Sequence, residues 1–161
     1  MPFDLSLQPN QPRLRPALAI QGPAGLLLVK HQKESRSYWL LPGGGVNYGE
    51  SVAAALRREV LEETGLVVDL GDFLFASESI APDKSRHGVH LVFRGTMLSG
   101  TLKVNEEPLL QGRGRLTGAQ WFSLERLPAL DLHPPYQQEL LLHLQRPSPH
   151  LSGFVENRWV D

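Results

Sequence analysis

Apolar positions along the chain change period several times, and each change marks an element. Leu18 to Ile20 and Leu26 to Lys30 are short apolar runs separated by Gln21-Gly22-Pro23-Ala24-Gly25, which predicts a strand, a turn and a second strand. Gln32 to Ser37 is polar and charged and predicts a loop. Tyr38 to Leu41 is a brief apolar segment stopped by Pro42 and the glycines Gly43, Gly44 and Gly45. The period then becomes helical. Val52, Leu56 and Val60 recur every four residues, with Ser51 placed as N-cap and Gly65 placed to end the helix.

Val67 to Ala76 and Val89 to Leu98 return to strand character, the second opening with the β-branched and aromatic run Val89-His90-Leu91-Val92-Phe93. Ser99-Gly100 predicts a turn, Gln111 to Gly118 a glycine- and arginine-containing loop, and Ala119 to Ser123 a short strand. Tyr136 to Leu144 is leucine-rich and follows Pro134-Pro135, as a helix start does. Residues 1–15, with three prolines, are expected to form an extended arm, residues 16–146 the domain, and residues 147–161 a tail. The order of strands, helix, strands, helix predicts an α/β fold with a mixed sheet between helices. No internal repeat is visible.

Composition narrows the function without fixing it. A chain of 161 residues suits one domain with a core that needs no staple. With no cysteine, there is neither a zinc-thiolate site nor a cysteine nucleophile. The net charge of −1 argues against a dedicated DNA or RNA binder. No apolar run approaches the ~20 residues that span a bilayer. The polar, proline-rich start lacks a signal pattern, so the expected location is the cytoplasm, away from membranes.

The chemistry is concentrated in Gly44 to Leu66. Glu59, Glu62 and Glu63 sit at i, i+3 and i+4 and share one helix face beside the apolar stripe. Like charges at i, i+4 repel by roughly 0.2–0.5 kcal/mol per pair, so three on one turn make sense around a cation. Mg²⁺ is the natural occupant, being a hard ion that prefers carboxylate oxygen and shares its shell with water and phosphates. Gly43 to Gly45 lets backbone approach that ion or a phosphate. The plain alternative for three helical glutamates alone is a solvated acidic face. The surrounding fixed positions outweigh it: Gly44, Glu50, Arg58 and the closing Gly65-Leu66 accompany the three glutamates at set spacing. Seven such identities recur by chance on the order of 10⁻⁶ over a chain of this size.

This stretch resembles the signature box of the Nudix hydrolases at every defining position. The resemblance implies a Nudix α/β/α sandwich and an enzyme that uses Mg²⁺, or Mn²⁺ in its place, to cleave the diphosphate of a nucleoside diphosphate-linked substrate. It implies that Glu59 and Glu63 are metal ligands, with Glu62 beside them as ligand or water-holding carboxylate and the Gly44 carbonyl completing the shell. Arg58 pairs with and orients the box glutamates, and Glu50 braces them. The ion lowers the pKa of a bound water, which attacks one phosphorus. The general base in many relatives comes from a later loop. Here the nearest acids are Glu106 and Glu107, of which Glu107 is favoured, with an ordinary loop charge pair as the alternative.

Arg36, Lys84, Arg86 and His87 lie in flanking loops as candidate phosphate contacts, the alternative being surface charge. Tyr38 is a candidate for stacking on a base, and His90 is expected to pack within its strand. Pro82 resembles a position of the ADP-ribose branch. The substrate is thus a small nucleotide: a triphosphate, ADP-ribose or nucleotide sugar, or a dinucleoside polyphosphate. Two other readings compete: a non-catalytic Nudix-fold sensor, which the intact box opposes, and an RNA-end pyrophosphohydrolase, which the near-neutral charge opposes. A homodimer remains open.

Overall fold

The structure is a computed structural model and describes residues 11–104 and 114–146, together with the backbone of 153–155. Seven strands form one sheet in the order β3-β2-β1-β5-β4-β7, with β6 paired to β2. In chain order these are β1 (Arg13–Gly22), β2 (Gly25–Lys33), β3 (Arg36–Leu40), β4 (Leu66–Ile80), β5 (His87–Gly100), β6 (Arg115–Phe122) and β7 (Gly153–Val155). Helix α1 (Val52–Thr64) follows β3, and α2 (Gln137–Gln145) follows a short 3-10 helix, Leu124–Ala129. The sheet is mixed, since β1 runs parallel to β5 and the β4–β5 pair is antiparallel.

Alternation along the strands builds two cores, one on each face. In β1, Leu18 and Ile20 join Leu27, Leu56, Val60, Leu66 and Val68 on the α1 face. Ala17 and Ala19 join Phe75, Val92, Tyr136, Leu140 and Leu144 on the α2 face. Strands buried on both faces read as continuous apolar runs rather than alternating ones. The α/β/α sandwich with a mixed sheet therefore stands as expected.

Several boundaries differ, for identifiable reasons. Arg13 to Arg15 are strand rather than arm, because pairing with Gly88 to His90 supplies the ladder that their polar side chains do not advertise. The expected loop Gln32 to Ser37 is the tip of a hairpin in which only Glu34 and Ser35 turn, Glu34 at φ 54°. Ser99-Gly100 continues β5, and Arg115 to Gly118 already belong to β6. Tyr136 is the N-cap of α2 rather than its first residue. Gly153–Val155, counted with the tail, pairs in parallel with β4.

One feature of the sheet positions the site. Strands β1 and β2 pair only at their hairpin tip, at Gln21 with Leu26 and Gly22 with Gly25, so the two halves of the sheet fork apart beyond it. The segment from Pro42 to Val46 lies in that fork against β1. The Leu18 amide donates to the Pro42 carbonyl (2.9 Å), the Gly44 amide to the Pro16 carbonyl (3.2 Å), and the Val46 amide to the Leu14 carbonyl (3.3 Å).

Candidate active site

Helix α1 is fixed at both ends and along one side. The Ser51 hydroxyl accepts the Ala54 amide at 3.1 Å, and Gly65, in the left-handed region at φ 71°, donates to the Leu61 carbonyl at 2.9 Å. Its apolar stripe buries Ala55, Leu56 and Val60 against the sheet. The acidic residues then fall at the seam between helix and fork.

Glu63 lies deepest, only 7% exposed. Its Oε2 accepts the Gly43 amide at 3.0 Å. Its Oε1 faces His31 Nε2 at 3.9 Å, too long for a hydrogen bond. That His31 nitrogen is buried and has no hydrogen-bond partner among the described residues. Burial pushes the Glu63 carboxyl pKa up, with His31 and the Gly43 amide pulling the other way and Glu59 adding to the rise. Gly43 holds φ 149°, which an L side chain rarely adopts, and this turn aims its amide at Glu63.

Arg58 organises the acids above. Its Nε and Nη2 donate to the two Glu50 oxygens at 2.8 and 2.9 Å, its Nη1 to Glu59 Oε1 at 2.7 Å and its Nη2 to the Gly45 carbonyl at 3.1 Å. Glu62 Oε2 is 3.7 Å from Nη1, at the exposed rim. Arg58, then the Asn47 amide, hold the Glu50 carboxyl down to about 2. Glu59 presses on backbone: a Cβ at Gly44 would overlap its carboxyl group.

The acidic seam suits a hard divalent ion. All the side-chain donors are carboxylate oxygens, one of them desolvated. The Gly44 backbone lies so close against the Glu59 carboxyl group that no side chain fits between them, which leaves its carbonyl beside the carboxylate oxygens a hard ion prefers. Arg58 holds Glu50 and Glu59, and among the described residues no three acidic or imidazole side chains close around one point. Gly44→Ala is expected to lower divalent-ion affinity about 10- to 100-fold. The Mg²⁺ concentration that half-saturates activity would read this shift, with an unchanged circular dichroism spectrum.

The remaining expected residues divide. Tyr38 stands half-buried between His133 (ring centroids 5.3 Å apart) and His31 (6.1 Å). Arg36 makes two hydrogen bonds to Asp131, at 3.2 and 3.1 Å, and lies 6.0 Å from the Tyr38 ring. Lys84 is exposed in the β4–β5 turn at φ 59°. Arg86 is exposed in the same turn, and its charge acts on Tyr38 and His133. His87 pairs with Glu78 at 2.7 Å. His90 meets the Ser79 hydroxyl at 2.9 Å within the sheet. Glu106 and Glu107 lie outside the described residues.

Sequence reasoning passed over His31 and His133. His31 sits two positions beyond Val29, in the register of the buried run of β2, and that spacing was its signal. His133 reaches Tyr38 because its amide bonds the Trp39 carbonyl (2.8 Å), a long-range pairing with no local trace.

Comparison with known proteins shows the family of the chain. The model of the NUDIX domain matches residues 12–144. The chain belongs to the Nudix hydrolase family. It is 32% identical over 122 residues to an ADP-ribose pyrophosphatase of Methanocaldococcus jannaschii, covering 73% of this chain and 68% of that one. It is 30% identical over 135 residues to an NAD-capped RNA hydrolase of Pseudomonas aeruginosa, covering 83% of this chain but only 43% of that protein. A solved ADP-ribose pyrophosphatase from Streptococcus suis superposes with TM-score 0.66 at 26% identity, covering 89% of this chain and 99% of that one. The chain is thus a Nudix pyrophosphohydrolase acting on nucleoside diphosphate-linked substrates. Among its described residues, no helix is long and apolar enough to cross a membrane.

Proposed function

We propose that this Nudix enzyme hydrolyses, with Mg²⁺, the diphosphate that links a nucleoside to a second group, releasing a nucleoside monophosphate. The observation that carries this is Glu63: a buried carboxylate kept on the box helix beside Glu59, where burial first, and then Glu59, disfavour its charge. Glu59, Glu62, Glu63 and the Gly44 carbonyl would hold the ion. When bound, it neutralises the diphosphate and acidifies a coordinated water.

The chain's own residues do the rest. Arg58 keeps Glu50 ionised and holds Glu50 and Glu59 in line, and the Gly43 amide fixes one Glu63 oxygen. Tyr38 and His133 supply an aromatic wall for the organic part of the substrate. Glu107 serves as the general base, and Glu107→Gln isolates that role.

The substrates named for these three relatives are ADP-ribose and NAD-capped RNA, in each of which a diphosphate joins an adenosine to a second ribose. A panel of ADP-ribose, NAD⁺, nucleotide sugars, nucleoside triphosphates and dinucleoside polyphosphates, with Mg²⁺ and with Mn²⁺ at mildly alkaline pH, tests the reading. AMP release from an ADP-linked member, abolished by EDTA and restored by excess Mg²⁺, is the expected result. Full turnover in EDTA would overturn it.

A further inference from the structure

His31 brings the second half of the forked sheet to the acidic seam. It lies in β2 where the pairing with β6 shifts: Lys30 stands opposite Gly118, but His31 stands opposite Leu116. Thr117, skipped by the ladder, donates its hydroxyl to the Lys30 carbonyl at 3.4 Å. On its other side His31 pairs with Tyr38 of β3. Residues directly opposite each other share a face of the sheet, so the imidazole stands beside the Tyr38 ring, with 6.1 Å between centroids. Gly114 adds a third neighbour: a Cβ there would lie 3.6 Å from the His31 Cβ and would overlap the Tyr38 hydroxyl.

This packing encloses an imidazole with an unmet bond. Its Nε2 is buried and finds no hydrogen-bond partner among the described residues. A buried polar atom left unpaired is costly, and folded proteins keep few of them. The acid that it faces is Glu63, whose Oε1 is 3.9 Å away. Bringing the two to the ~2.9 Å of a hydrogen bond needs a shift of about 1 Å, within the reach of two side chains.

Glu63 has the matching need. The Gly43 amide holds Oε2 at 3.0 Å, and Oε1 has no donor at hydrogen-bond distance among the described residues. A carboxylate pinned by one oxygen can swing about it. A second donor from the opposite side fixes its plane. The two donors then come from the two halves of the fork, since Gly43 bridges to Ala17 of β1 and His31 belongs to β2. Of about four lone-pair sites on a carboxylate, they take two and leave the others for an ion.

We propose that His31 is a positioning residue for Glu63: its Nε2–H donates to Oε1, opposite the Gly43 amide, and so sets which lone pairs the divalent ion meets. This rests on the assignment of Glu63 to that ion.

Nitrogen–proton correlation spectra of the imidazoles in the full chain, recorded in Mg²⁺, read the tautomer directly. The His31 signal, identified by its loss in His31→Gln, should show a proton on Nε2. His31→Leu should keep the wild-type circular dichroism spectrum and bind Mn²⁺ about 10- to 100-fold more weakly, measured by electron paramagnetic resonance without turnover. His31→Gln, which keeps a side-chain N–H donor, should recover most of that affinity. A role in packing alone predicts the reverse order, since leucine suits a buried site better than glutamine. The tautomer decides the question even should His31→Leu fail to fold. A bare Nε2, wild-type Mn²⁺ affinity in His31→Leu, or a His31→Gln no tighter than His31→Leu would each overturn the proposal. A wild type that binds no Mn²⁺ would remove the divalent-ion reading as well, so the two failures are told apart.

Discussion

Glu63→Gln is expected to cut kcat/KM on the order of 10³-fold while the metal-free protein becomes more stable at neutral pH. The loss follows from taking a charged oxygen out of the proposed metal site, worth several kcal/mol of transition-state stabilisation at about 1.36 kcal/mol per factor of ten. The gain follows from the sign of the pKa shift. Glu63 is raised in the folded state, chiefly by burial. As pH rises past the ordinary carboxylate value, the unfolded chain ionises first and the fold loses stability until the folded pKa is passed. Above that point the penalty is constant.

Glutamine keeps the acceptor for the Gly43 amide and carries no such penalty. Wild-type protein should therefore gain more in Tm from saturating Mg²⁺ than the variant does, and more at pH 8 than at pH 5. Thermal melts of both proteins across pH, with and without Mg²⁺, check this. A variant that melts lower than wild type without metal would contradict the assigned burial cost.

Arg58→Ala is the second large effect: an expected fall in kcat/KM of about 100-fold or more, which Arg58→Lys recovers only slightly. The guanidinium serves Glu50 through two nitrogens while also holding Glu59 and the Gly45 carbonyl. An ammonium restores the charge but not the fork. The same network sets a pH limit of opposite sense to that of Glu63. Glu50 is held down to about 2, so the stability it contributes is full above the ordinary carboxylate pKa and is lost as pH falls from there toward 2. In Arg58→Ala that acid-side loss should flatten, measured as Tm between pH 5 and pH 2. Kinetics of Arg58→Lys within a few-fold of wild type would show that charge alone suffices.

The catalytic helix was legible in the sequence because its determinants are local: a serine cap, a four-residue apolar repeat and a glycine end, all within reach of one another. The sandwich was legible from the order of periods. The polar strand ends were not. Arg13 to Arg15 and the tip of the β2–β3 hairpin are held by distant partners, and polar residues at such ends leave no periodic mark. The acidic half of the site could be read from spacing on a single turn. The aromatic half is assembled from β2, β3 and the segment around His133, which meet only once the sheet has formed.

The forked sheet separates two tasks that would otherwise interfere. The carboxylates of the signature box belong to a helix anchored on the β1 side, where the strapped glycine segment ties them to one half of the molecule. The wall bearing Tyr38 hangs from the other half, joined to the first at the hairpin tip. Apart from His31, which faces Glu63, side chains on that second wall stand outside the hydrogen bonds of the carboxylates, so their bulk and charge can change and such a scaffold can take up new nucleotides while its reaction stays the same.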